Sequence, residues 1–237
     1  MFTVPTKKSI YASTQKKNTF LFFMSGVFMA AHWVTYFYAL KLANFALGIL
    51  SLYTFPMLTA LLEPFFFKMK FDPIYIALGL LILAGVSFLV PEFNLESTQV
   101  KGILFGVFSA LCYAIRILIL KKHVANYNGT MLMFYQTVII TVLLLPTLFF
   151  MDLSGLQSQF PFLLLLALLT TAVGHSLMLH SLKFFSATTT TIISSLQPIF
   201  GIGLAVFFLN ENPNFNTYLG GGLILITVVI ESVRSKK

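Results

Sequence analysis

The chain has 237 residues, 58% of them hydrophobic and 9% charged, with 15 basic against 7 acidic side chains and a formal charge of +8. Soluble domains carry about 25% charged residues, so this chain cannot cover a water-facing surface, and lipid is the solvent its composition fits. A charge of +8 would raise nucleic acid as a partner for a soluble protein; here the basic residues fall in a pattern that reads as membrane topology, and no nucleic-acid partner is expected.

In chain order, residues 1–19 form a basic segment with four lysines and no apolar run, so they are neither signal peptide nor transit peptide. Eight stretches then meet the requirement of about 20 apolar residues for crossing about 30 Å of hydrocarbon. They are 20–40, 45–67, 73–91, 102–120, 130–151, 160–182, 187–209 and 215–233. Polar or Pro/Gly-bearing links separate them, and a tail of 234–237 follows. Barrel-strand alternation is absent, so closed helices satisfy the backbone in lipid, and the predicted fold is an all-α polytopic bundle of eight transmembrane helices.

With the N-terminus placed in the cytoplasm, thirteen basic residues fall inside and only Lys41 and Lys101 outside, the bias that sets topology. An even number of spans puts both termini in the cytoplasm. Glu92, Glu96, Asp152 and Glu211 then lie outside, and the sequon Asn128-Gly129-Thr130 lies inside, away from glycosylation. The single Cys112 excludes an internal disulfide. Thirteen Lys against two Arg, with 27 Phe, suggest an AT-rich bacterial genome and hence a plasma (inner) membrane location.

A shift of 142 residues aligns two parts of the chain without a gap. It places Leu40-Lys41 on Leu182-Lys183, Pro56 on Pro198, Phe65-Phe66 on Phe207-Phe208, and Gly79 on Gly221. Asn44 falls on Ser186 and Asp72 on Asn214, all four being preferred helix N-caps ahead of an apolar run. The span after Asn44 runs inward and that after Ser186 outward, which is an inverted repeat, a plan that puts a transporter's site near midplane. The second copy, 102–233, has five helices and the first, 20–91, has three, so the repeat predicts two further helices ahead of Met1: the chain reads as truncated at its N-terminus.

The run Ser181 to Pro198, followed by Asn210-Glu211 and Gly220 to Gly222, resembles the second EamA domain of the drug/metabolite transporter superfamily. The first copy is similar in Ala39 to Ala43, Pro56 and Gly79 to Gly85. The resemblance implies a ten-helix fold of two inverted five-helix repeats. It also implies carriage of small metabolites, amino acids or drugs by alternating access, often driven by an ion gradient. Two departures stand out: eight spans replace ten, and Glu211 of the second copy is Met69 in the first.

Polar residues inside spans tend to face the bundle interior or a water-filled path. Arg116 costs about 2.5–3.5 kcal/mol at helix centre on insertion scales. It either snorkels to the inner surface or binds an anion, with Ser109, Cys112 and Tyr113 on its helical face. His32 and His175 are near-equivalent under the shift, which places Trp33 opposite His175. His32 belongs to a stripe with Ser25, Met29 and Tyr36, His175 to one with Thr171 and Met178, and either ring could relay protons or bond between helices. His123 and His180 are given no role. Thr190, Ser194, Gln197 and Gly201 make a small-polar face, suited to close packing or to lining a cavity.

Pro56 and Pro198 free carbonyls one turn earlier and are hinge candidates. Glu63 is the candidate for coupling proton movement, with Lys68 near enough in sequence to neutralise it. Enzyme motifs and metal-ligand patterns are missing, and no catalytic residue, metal or cofactor is expected. Expected partners are the lipid bilayer and a small-molecule substrate, and a homodimer is compatible with this reading. The leading function is a secondary carrier. A membrane-embedded enzyme on a lipid-soluble substrate, using His32 or His175, and a non-functional truncated fragment are the alternatives.

Overall fold

The computed structural model describes residues 16–68, 70, 72–89, 97–124, 127–150, 155–194, 197–210 and 212–234. Most of the basic N-terminal segment, residues 235–237 of the tail, Met69, Glu92, Glu96, Asp152 and Glu211 lie outside them. Every regular element among the described residues is helical. In order these are α1 (Lys16–Leu42), α2 (Phe45–Leu52), α3 (Phe55–Phe67), α4 (Ile74–Leu89), α5 (Thr98–Lys121) and α6 (Gly129–Leu144). A 3₁₀ turn (Leu145–Phe149) follows, then α7 (Leu156–Leu166), a π-helical stretch (Ala167–His175), α8 (Ser176–Ser181), α9 (Ala187–Ser194), α10 (Gln197–Leu209) and α11 (Phe215–Arg234).

Among the described residues six stretches are long and apolar enough to cross a membrane: Phe20–Leu42, Leu47–Phe67, Thr98–Lys121, Gly129–Phe149, Leu156–Ser181 and Phe215–Arg234. The sequence predicts eight. Of these, 73–91 has described helix over Ile74–Leu89, and 187–209 has it over Ala187–Ser194 and Gln197–Leu209.

The chain forms two compact units, Met1–Ala30 with Ile119–Phe184, and Ala31–Leu118 with Phe185–Lys237. In the first, α6 packs on α8 and on the π-helical stretch. Buried Gln136 Nε2 donates to Ser25 Oγ at 3.0 Å, the kind of side-chain bond that joins helices in lipid. Lys121 Nζ donates to the Leu182 carbonyl at 2.7 Å, which serves an acceptor left over at a helix end. The surface of α7 and the π-helical stretch is apolar and exposed, including Phe162, Leu165, Leu169 and Val173, and in a bilayer it meets acyl chains.

In the second unit α4 packs along α11, α3 against α9, and α2 against α10. The approach of α4 to α11 is close because Gly85 has no side chain: a Cβ there would lie 2.9 Å from the Gly220 carbonyl oxygen. All four expected N-caps form, as short side chains ahead of apolar helices should. Asn44 Oδ1 accepts from Leu47 N at 2.8 Å and Ser186 Oγ from Thr189 N at 2.9 Å. Asp72 Oδ1 accepts from Ile74 N at 3.1 Å and Asn214 Oδ1 from Thr217 N at 2.8 Å.

The 142-residue shift carries the first residue of α2 onto that of α9 and the last residue of α3 onto that of α10. It also carries Lys68 (φ 53°) onto Asn210 (φ 52°), the two non-glycine residues in left-handed conformation among the described residues. Both stand directly after an apolar helix, where a left-handed residue closes the last turn. The packing obeys the same exchange, since α3 on α9 becomes α10 on α2 and the α4–α11 pair maps onto itself.

Candidate functional site

Between α2 and α3 the helix is interrupted at Tyr53 and Thr54. Tyr53 N still donates to the Ile49 carbonyl at 3.0 Å, while Thr54 N reaches back only to Ser51 O at 3.4 Å. Pro56 explains why a new helix starts here: it occupies the first turn of α3, where its missing N–H leaves no ladder bond unmade. Of the two hinge candidates, Pro56 is thus the second residue of a helix that follows a break, and Pro198 has described backbone in α10.

A chain of polar and aromatic groups converges on this interruption. His32 on α1 is buried, with Nδ1 2.8 Å from Ser109 Oγ on α5. The same Ser109 hydroxyl donates to the His32 carbonyl at 2.9 Å. A hydroxyl has one proton, so Nδ1–H is the donor to Oγ and the ring is held in a fixed orientation. Tyr113, one turn along α5 from Ser109, lies 4.5 Å from the His32 ring and 5.0 Å from Phe55, measured between centroids. Phe55 in turn meets Tyr53 at 5.4 Å, and Tyr36 stacks parallel to His32 at 6.1 Å. Tyr53 donates its hydroxyl proton to Gln197 Oε1 at the start of α10. The interruption between α2 and α3 is thereby joined to α10.

Arg116 completes the group. Its guanidinium lies 5.3 Å from the Tyr113 ring centroid, within cation–π range. Its exposure is 0%, so the side chain does not snorkel to a surface. Protein encloses it, and aromatic faces together with a fixed imidazole surround it. Cys112 is buried beside Tyr113, and Trp33 is half-buried next to His32. A small cavity opens from the far side of Tyr53, lined also by Pro56, Met57, Tyr75 and Thr227.

Of the residues singled out from sequence, His32, Tyr36, Tyr113, Arg116 and Gln197 are thus brought into one connected cluster. Ser194 donates instead to the Thr190 carbonyl at 3.0 Å, a bond within its own helix. His175 ends the π-helical stretch in the first unit, half-buried on one face with Thr171 and Met178. His123 packs edge-on against Phe22. Pro198 and Gly201 have described backbone in α10 only. Tyr53 and Phe55 are central to the cluster and were missed; the available signal was a tyrosine two residues ahead of a proline-started helix.

Glu63, near the end of α3, sits at the start of α9. Its two oxygens accept from Ala187 N at 3.0 Å and Thr188 N at 3.0 Å, and the Thr188 hydroxyl also donates to it. The sequence analysis named Lys68 as a neutralising neighbour; the groups that meet this carboxylate are amide and hydroxyl donors at a helix N-terminus, where negative charge is stabilised. Among the described residues no three His, Cys, Asp or Glu side chains lie close enough together to hold a metal ion.

The sequence profile of the EamA-like transporter family matches residues 100–233. Among curated proteins, the uncharacterized transporter YxxF of Bacillus subtilis is 26% identical over 88% of this chain and 68% of its own length. An S-adenosylmethionine uptake transporter of Rickettsia felis is 33% identical over 37% of this chain and 32% of its own length. The pseudopaline exporter CntI of Pseudomonas aeruginosa is 24% identical over 90% and 74%. A solved crystal structure superposes with a TM-score of 0.67 over 94% of this chain and 78% of that chain at 18% identity, a likeness of fold.

Proposed function

Because the chain belongs to the EamA-like transporter family, a family of multi-pass membrane transporters, we propose that it is a secondary carrier of small organic solutes working by alternating access. The solutes are metabolites, amino acids or drugs, and the membrane is the bacterial plasma membrane. The observation that carries the reading is the junction of the α2–α3 interruption with α10 through Tyr53 and Gln197, beside enclosed Arg116 and the rings of His32, Tyr36 and Tyr113. An interrupted helix near mid-span is where carriers of this general plan hold substrate, and an enclosed cation in a lipid-solvated protein marks a solute path. His32, Tyr36, Tyr53, Tyr113, Arg116 and Gln197 line that path. One relative is named for uptake and another for export, so the direction is left to the assay.

The match of the start of α2 with that of α9, and of the end of α3 with that of α10, supports a plan of two inverted repeats, five helices each. Residue contacts support the alternation of spans on which this topology rests. Asp72 meets Arg234, Glu63 meets the start of α9, and Lys121 meets Leu182, each pairing two ends that this topology puts on the inner face.

The test is an uptake and export screen of metabolites, amino acids and drugs in cells expressing the chain, run beside Arg116→Leu. Holding a cation out of water carries a desolvation cost that an apolar side chain does not. The variant is therefore expected to keep its thermal midpoint while transport falls about tenfold or more, equivalent to losing at least about 1.4 kcal/mol of interaction with the solute. Undiminished transport by Arg116→Leu would remove the cluster from the path.

A further inference from the structure

We propose that Glu63 is a gate clasp: it holds α9 against α3 at the cytoplasmic end, and it must release for the carrier to open inward. The inference rests on the carrier reading and on its topology. Three donors from one helix start meet one carboxylate 124 residues away in the chain, all of them buried. The remaining need of α9 is met locally, since Ser186 Oγ accepts from Thr189 N. The clasp therefore serves the first two amides of α9, which its own cap does not reach, and makes them depend on α3.

One of the helices that it joins is a half-span, since a break at Tyr53 and Thr54 precedes α3. Such a piece can tilt about its break without disturbing the rest of the span. Pro64 follows Glu63 directly inside α3 and removes a ladder bond there, so the end of α3 that carries the carboxylate is the bendable one.

The clasp is also one-sided. Under the 142-residue shift Glu63 falls on Ala205, which has no acceptor, so α10 cannot hold α2 in the same way. At this position the two ends of the molecule thus differ in one carboxylate. This biases the resting carrier toward closure at the end where Glu63 lies.

A reporter cysteine at Thr190 tests this, because Thr190 is buried on α9 and its hydroxyl makes no hydrogen bond for the change to remove. The full chain carrying Cys112→Ser and Thr190→Cys is labelled with a membrane-impermeant maleimide in inside-out and right-side-out vesicles. Adding Glu63→Gln turns one acceptor into a donor facing donors. It is expected to raise labelling from the cytoplasmic face about tenfold, the shift in an open–closed equilibrium for about 1.4 kcal/mol, and to leave the outer face unlabelled. Labelling unchanged by Glu63→Gln, or raised equally from both faces as in a loosened fold, overturns the proposal. Thr188→Val removes only the hydroxyl arm and guards against a Glu63 variant that does not accumulate. It is expected to raise cytoplasmic labelling about threefold, at the lower end of one hydrogen bond's worth, and no change there also overturns the clasp. The assay needs no substrate, so a failed transport screen alongside one-sided labelling would count against the carrier reading alone.

Discussion

Asp72 stands between α3 and α4, and two donors act on it. The Ile74 amide and the Arg234 guanidinium together hold its carboxyl below the ordinary value of 3.8. A carboxylate whose folded pKa is depressed contributes stability that is whole above its unfolded value and is lost as pH falls through the folded one. The contribution is therefore complete at neutral pH and disappears only in acid, and it is small because the pair is solvent-screened. Asp72→Asn is expected to lower the thermal midpoint slightly at neutral pH and to flatten the decline of the wild type below about pH 3.8; scanning both proteins in detergent across acid pH checks it. Asp72 as a cap was readable from sequence, because capping is local. Its tie to Arg234 was not, nor was the clasp of Glu63. Partners 162 and 124 residues away leave no trace in local spacing, and Lys68 drew attention only by being near.

Helices approach one another here where side chains are absent. A Cβ on Gly102 of α5 would sit 2.7 Å from the Ala43 amide nitrogen and 2.8 Å from its Cβ, atoms that cannot swing aside. Gly222 in α11 has nothing within 4 Å of the same position. Gly102→Ala is expected to destabilise by about 1–3 kcal/mol through overpacking. Gly222→Ala is expected to stabilise by up to about 1 kcal/mol, since alanine is the better helix former and meets no neighbour. Thermal midpoints of the two variants should move in opposite directions. Element existence was legible from apolar runs and caps. The interruption between α2 and α3 was legible only in part, as Pro56. A proline marks either a kink or a start, and only the bonding of Tyr53 and Thr54 tells which.

For the molecule as a whole, repeat mates are the sharpest handle on topology. Lys68 and Asn210 occupy the same left-handed position at the ends of α3 and α10. In an inverted arrangement they stand on opposite faces of the membrane. With Cys112→Ser as background, Lys68→Cys is expected to react with an impermeant maleimide only from the cytoplasm and Asn210→Cys only from outside. Reaction of both from one face would dissolve the inverted repeat. The pairing of α4 with α11 has a further meaning in time. The Gly85 surface leaves the ribosome far ahead of its partner, because the bond between Asp72 and Arg234 spans 162 residues. At about 5–20 residues per second, that surface waits roughly 8–30 s in the bilayer before the last helix arrives. The second unit therefore cannot close until synthesis is nearly over, and a chain stalled before α11 presents a bare glycine seam to whatever surveys unfinished membrane proteins.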